Sequence, residues 1–352
     1  MRLWNDRCAL LPVVLVLIVT ASLAGQDADP KPVQAQPAAD SGKTPPPATA
    51  ASPAAPQDPS AAPHEIGKDD AGMFVLRKNV EEVALHATVV DEKDHLITDL
   101  ERSAFTVFED GVQQPISSFR HEDIPVSMAI VIDNSGSMRE KREKVNQAAL
   151  NLVRSSNAQD EVMIVNFNDD YFCDQDFTSD IGKMKEALEK YEARGGTALY
   201  DALDATAFHL KQFGRRDKKV IFVVTDGEDN QSRDTLEQAV RALQENGGPT
   251  VYAIGLLGGE KERRARRYLQ ILAQQTGGIA FYPKTLDEVD QISKTVAHDI
   301  RNQYSIGYKP ANLKGAGGYR VIRVDVHAPG HPKLNARTKS GYYATSPEKA
   351  AK

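Results

Sequence analysis

From residue 126 onward, short unbroken runs of Val, Ile and Phe alternate with stretches whose apolar residues return every three or four positions, and few folds accept that rhythm. The runs fall at 126–132, 162–167, 220–225, 250–256 and 278–282. Between them, Leu199, Leu203, Thr206, Leu210 and Phe213 mark one helical stripe, and Leu236, Val240 and Leu243 mark another. A strand that is apolar on both faces must be covered on both, so the pattern predicts an α/β fold. Its core is a doubly wound, mostly parallel sheet of Rossmann type, wrapped by helices. Residues 171–177 follow a run with no room for a helix, which predicts an antiparallel strand at the sheet edge.

The flanks have a different texture. In 72–125 the apolar residues Val83, Leu85, Ala87 and Val89 alternate, as on one face of a strand. A turn is expected at 91–94 and a second strand at 105–108. Glu109-Asp110-Gly111-Val112 reads as a tight hairpin, since Asp-Gly tolerates the positive φ such turns need. Alternation returns in 303–345, at 304–308, 319–327 and 334–343. Each flank is too short to close a core alone. The expectation is one small β module, built from both, beside an α/β domain at 126–302, with a tail at 346–352.

At the N-terminus, Arg2 and Arg7 precede an apolar run at 9–19 and the small-residue stretch Ser22-Leu23-Ala24. That order predicts a signal peptide at 1–24. The run is short for a bilayer span of roughly 20 residues, so the mature chain is expected to have no membrane span, with a retained N-terminal anchor as the alternative. Residues 25–71 are rich in Pro and Ala, predicting a disordered linker. An exported protein follows: periplasmic, cell-surface or secreted. Of the two cysteines, Cys8 and Cys173, the first would leave with the signal, so no intrachain disulfide is expected in the mature chain. The net charge of -6 argues against a nucleic-acid partner. The one dense basic cluster, Arg263, Arg264, Arg266 and Arg267, opens a segment with helical spacing and reads as a solvated helix face.

Three loops stand at or near the carboxyl ends of the expected strands: Asp133-Asn134-Ser135-Gly136-Ser137, Gly195-Gly196-Thr197 and Thr225-Asp226-Gly227. Ligands of open α/β sheets sit there. Two carboxylates, Asp133 and Asp226, with the hydroxyls of Ser135, Ser137 and Thr197, make an all-oxygen donor set suited to a hard cation. The absence of His and Cys from these loops argues against zinc. Mg2+ is the expected ion, with Mn2+ or Ca2+ as alternatives. Two carboxylates at most neutralise it, so it would still attract an outside carboxylate from a partner's Asp or Glu. Glu228 and Asp229 read as solvated or field-tuning, and Asp169 and Asp170 as turn residues. No nucleophile elbow or general base accompanies the loops, so no catalytic residue is assigned. A metal-assisted, phosphatase-like hydrolase and a purely structural metal site are the alternatives.

The order Asp-x-Ser-x-Ser, Gly-Gly-Thr, Thr-Asp-Gly resembles the metal-ion-dependent adhesion site of von Willebrand factor A domains, over roughly residues 126–301. The resemblance implies Asp133, Ser135, Ser137, Thr197 and Asp226 as metal ligands and a non-enzymatic, adhesion-type role. Val89-Val90-Asp91, the stretch 105–111 and Tyr304-Ser305-Ile306-Gly307-Tyr308 are similar to an exported bacterial subgroup, the VWFA-related proteins.

Overall fold

The computed structural model describes residues 82–121, 123–155, 157–190, 192–257, 262–311 and 318–344, together with the backbone of two short strands before them. The expected signal segment, nearly all of the expected linker and the tail lie outside the described residues. The chain divides into two compact units, Ala9–Asn79 and one holding Val80–Lys352. In the first, β1 (Glu65–Lys68) pairs antiparallel with β2 (Phe74–Arg77). The end of the stretch expected as linker thus carries a strand, because β2 supplies the backbone partners that a lone segment lacks.

The second unit opens with β3 (Val83–Val90), β4 (Phe105–Glu109), β5 (Val112–Gln114) and β6 (Ile116–Arg120). Asp110 and Gly111, at φ 49° and 80°, form the tight turn between β4 and β5. Then come β7 (Val126–Asp133), α1 (Arg142–Arg154), β8 (Glu161–Phe167), β9 (Tyr171–Thr178), α2 (Ile181–Glu189) and α3 (Leu199–Phe213). They are followed by β10 (Lys218–Thr225), α4 (Leu236–Leu243), β11 (Thr250–Gly255), α5 (Glu262–Thr276), β12 (Ala280–Phe281) and α6 (Glu288–Arg301). Last are β13 (Tyr304–Tyr308), β14 (Tyr319–Val326), β15 (Asn335–Arg337) and β16 (Gly341–Tyr343).

Six strands form one sheet in the order β12-β11-β10-β7-β8-β9, parallel except for β9, which runs antiparallel to β8 at the edge. Every residue of β7 is buried, and the pleat explains its unbroken apolar run. Met128, Ile130 and Ile132 face a core shared with α1, α2 and α6, whereas Ala129 and Val131 face one shared with α3, α4 and α5. Chain order reverses at β7, because β8 lies on one side of it and β10 on the other. The crevice of a doubly wound sheet therefore opens at the end of β7.

Two further four-stranded sheets, β15-β3-β13-β6 and β16-β14-β4-β5, combine strands from before and after the α/β half. Their facing residues, among them Leu85, Val107, Tyr304, Ile306 and Val324, form a separate core. Inside it the buried Glu109 carboxylate accepts from Tyr308 Oη at 2.5 Å, Tyr342 Oη at 3.0 Å and Arg320 Nη1 at 2.5 Å. Burial and that neighbouring carboxylate raise the Tyr308 and Tyr342 hydroxyls above the ordinary tyrosine range.

Three sequence expectations change. Residues 334–343 are two strands in different sheets, since the chain turns between β15 and β16. The strand expected at 278–282 shrinks to two residues, as β11 offers a partner only along Ala253 and Ile254. Helices α1, α2 and α6 occupy stretches for which the sequence reading marks no stripe; in α2 the buried residues Met184, Ala187 and Leu188 make too short a stripe to stand out. No helix among the described residues is long and apolar enough to cross a membrane.

Candidate metal centre

Asp133 is the last residue of β7 and is fully buried. Its carboxylate accepts the Ser135 N–H at 2.8 Å and the Thr225 hydroxyl at 2.6 Å, so it joins the first loop to the end of β10. Burial pushes this carboxyl above its ordinary range, the hydrogen bonds from Thr225 and Ser135 oppose the rise, and the nearby Asp226 charge adds to it. Ser135 Oγ lies 3.2 Å from Ser137 Oγ, and Ser137 Oγ donates to Asp226 Oδ1 at 2.7 Å. The other oxygen of Asp226, whose side chain is also buried, takes the Lys141 ammonium. Neighbouring oxygens around an octahedral Mg2+ at about 2.1 Å would stand about 3.0 Å apart. The spacing of Ser135, Ser137 and Asp226 suits such an ion, as does the hard, all-oxygen donor set.

The Gly-Gly-Thr loop is fastened to the first. Gly136 N–H donates to the Gly195 carbonyl at 3.2 Å and Arg194 N–H to the Asn134 carbonyl at 2.9 Å. Gly195 has φ 78°, and a Cβ there would fall 2.3 Å from Asp169 Oδ2, so no other residue fits. Asp169 accepts the Gly196 N–H at 2.7 Å. The backbone of Thr197 is held through its N–H by Asn230 Oδ1 at 3.0 Å. Its hydroxyl borders Gly227, next to Asp226: a Cβ on Gly227 would lie 3.4 Å from Thr197 Oγ1. Thr197 is 3% exposed. All five residues singled out from sequence thus sit in three loops tied to one another at the switch point of the sheet.

The structure adds residues that the sequence did not single out. Lys141 and Arg142 follow the first loop by one helical turn. The buried Arg142 guanidinium donates to Asn166 Oδ1 at 3.2 Å and to the Leu188 carbonyl at 2.6 Å. Burial lowers it to about 10, while Asp133 and Asp174 resist that fall. Asp169, assigned only to the hairpin turn, also braces the glycine loop. Asp229 is no free surface acid: it accepts the Tyr200 N–H at 3.0 Å and the Ser232 hydroxyl at 2.6 Å, serving the open N-terminus of α3. Glu228 pairs with Arg264 at 3.2 Å. Such fastenings bridge positions far apart in sequence, and no local pattern announces them. Among the described residues no cluster of three His, Cys, Asp or Glu could hold a metal ion; the site has two acids, and its other donors are hydroxyls.

This is a Rossmann-type domain with a hydroxyl-rich loop cluster at its switch point. Residues 128–228, under a third of the chain, match the family model of the von Willebrand factor type A domain. Similar solved structures include the PilB minor pilin from Streptococcus sanguinis, at 16% identity over 53% of this chain and 63% of that one, TM-score 0.44. The vWF domain of the type V pili tip protein Mfa5 from Porphyromonas gingivalis matches at 14% identity, over 51% and 97%, TM-score 0.42. A von Willebrand factor type A protein from Catenulispora acidiphila matches at 14% identity, over 78% and 76%, TM-score 0.42. The chain spans less than two thirds of the minor pilin's length. No curated protein matches.

Proposed function

We propose that this chain is an exported, adhesion-type binding module that captures an Asp or Glu carboxylate of a protein partner at a Mg2+ site. Domains of the von Willebrand factor type A class commonly mediate protein–protein adhesion. The observation that carries the reading is the grouping of Ser135, Ser137 and Asp226 oxygens at 3.2 and 2.7 Å beside the buried Asp133. A bound divalent ion would supply an electrophilic centre for an outside carboxylate. The protein's part is to hold the donors still. Asp133 is fixed by Ser135 and Thr225, Asp226 by Ser137 and Lys141, and Thr197 by Asn230. Hydroxyl donors add no negative charge, so the acids do not overcompensate the ion, and a carboxylate from a partner remains attractive. Export rests on the basic, apolar, small-residue order of residues 1–24 and makes the periplasm, cell surface or medium the place of action.

The test is capture from a native envelope fraction with the full-length chain, in Mg2+ and in EDTA. Capture that requires Mg2+ is expected, with Mn2+ or Ca2+ replacing it in part. Capture indifferent to EDTA would refute the metal site's role, and a Mg2+-dependent melting point without any capture would make the metal a structural staple.

A further inference from the structure

The first two turns of α5 contain Arg263, Arg264, Arg266 and Arg267, all exposed, against a single acid, Glu262. This arrangement works against the helix in two ways. The positive end of the helix dipole lies at the N-terminus, where cations are unfavourable. Arg263 and Arg267 also stand four positions apart on one face, where like charges repel. A chain of net charge -6 has ample acid with which to relieve them, yet relief is partial. Arg264 pairs with Glu228, and the Arg266 guanidinium lies over the Tyr282 ring at 4.2 Å while Tyr282 Oη donates to the Arg266 carbonyl at 2.7 Å. The side chains of Arg263 and Arg267 have no hydrogen-bond, ion-pair or ring partner among the described residues.

Placement gives these charges a direction. Helix α5 follows β11, which is parallel to β10, so its N-terminus opens at the same end of the sheet as the metal-site loops. The Arg264–Glu228 pair ties it there, because Glu228 lies two residues beyond Asp226 in the loop leaving β10. The arginines are exposed, as a solvated helix face would have them, and the Arg264–Glu228 pair sets that face beside the loop leaving β10. Basic residues that weaken their own helix beside a carboxylate-binding centre are explained if an anionic ligand neutralises them.

We infer that the partner surface extends from the Asp133–Asp226 loops onto Arg263 and Arg267, and that it takes a protein segment with several carboxylates, one for the centre and others for the arginines. This rests on the proposed metal-dependent function, and the experiment separates the two. The full-length chain and its Arg263→Gln/Arg267→Gln double variant are titrated, in Mg2+ and in EDTA, with three probes. These are an oligoglutamate peptide, a Gly/Ser peptide with one Glu, and a sulfated oligosaccharide. The expected result is Mg2+-dependent binding of oligoglutamate that is about fivefold weaker in the double variant at low salt. That difference should shrink as salt rises, with the single-Glu peptide bound equally by both proteins. The double variant should melt no lower than wild type, since it loses only unfavourable helix charges. Equal Mg2+-dependent binding of oligoglutamate by both proteins overturns the inference and leaves the metal site standing. Binding that needs the arginines but ignores EDTA keeps the basic surface and removes the metal reading. Mg2+-independent preference for the sulfated oligosaccharide overturns the acidic-protein partner in favour of a glycan.

Discussion

Replacing Asp133 by Asn should remove the stabilisation that Mg2+ gives the wild-type protein. The native carboxylate accepts two hydrogen bonds, from Ser135 N–H at 2.8 Å and Thr225 Oγ1 at 2.6 Å. An Asn side chain keeps an oxygen for the Ser135 amide and offers an N–H to the Thr225 hydroxyl, which can rotate to accept it. Trading charged for neutral hydrogen bonds costs about 1 kcal/mol. Against that loss, a buried negative charge disappears beside Asp226, and burial is the larger influence on this carboxyl. In EDTA the variant should therefore match wild type within about 1 kcal/mol, or exceed it. In Mg2+ at a hundredfold excess over Kd, wild type gains about 2.7 kcal/mol, worth roughly 5–10 °C in Tm for a unit of this size. The variant has lost half of the site's carboxylate charge and should gain almost nothing. Calorimetric melts of both proteins in EDTA and Mg2+, with a Mg2+ titration, measure each part. An equal Mg2+-induced rise in both proteins would refute Asp133 as part of a metal site.

Thr197→Ala should weaken Mg2+-dependent capture while lowering Tm by only a few degrees, because the Asn230 hydrogen bond to its backbone survives the change; a capture assay and a melt on the same sample decide it, and unchanged capture removes Thr197 from the site. Lys218, buried with its ammonium on the Ile300 carbonyl, is lowered from 10.5 to about 7, chiefly by desolvation and then by Arg301. Its folded pKa lies below its unfolded one, so its cost is fully present below pH 7 and fades as pH rises toward 10. The wild-type protein should gain up to about 1.4 kcal/mol per pH unit relative to Lys218→Met across that window; denaturant melts from pH 7 to 9 that stay parallel would show that Lys218 is not buried in its charged form below pH 7.

The sheet and the three loops that carry the candidate donors were legible in the sequence because each depends on a short stretch of chain. A buried parallel strand announces itself as an unbroken apolar run, as in β7, since helices cover both of its faces. Asp133, Ser135 and Ser137 share one loop, and Thr197 and Asp226 each belong to a short motif near a strand end. What the sequence left open was which distant segments meet. Only the folded chain puts Lys141 on Asp226, Asp169 under Gly196 and Glu228 against Arg264, across separations of 85, 27 and 36 positions. Hydrogen bonds and ion pairs of that reach have no periodicity to betray them. The strands at the chain's two flanks are a similar case. Their alternation marks them as half-buried, but β3 finds β13, and β4 finds β14, only because the α/β half returns the chain beside its starting point. β15 and β16 show the same limit at close range. One alternating stretch at 334–343 parts into two sheets, because pairing is decided by the neighbours available in space, β3 for one strand and β14 for the other.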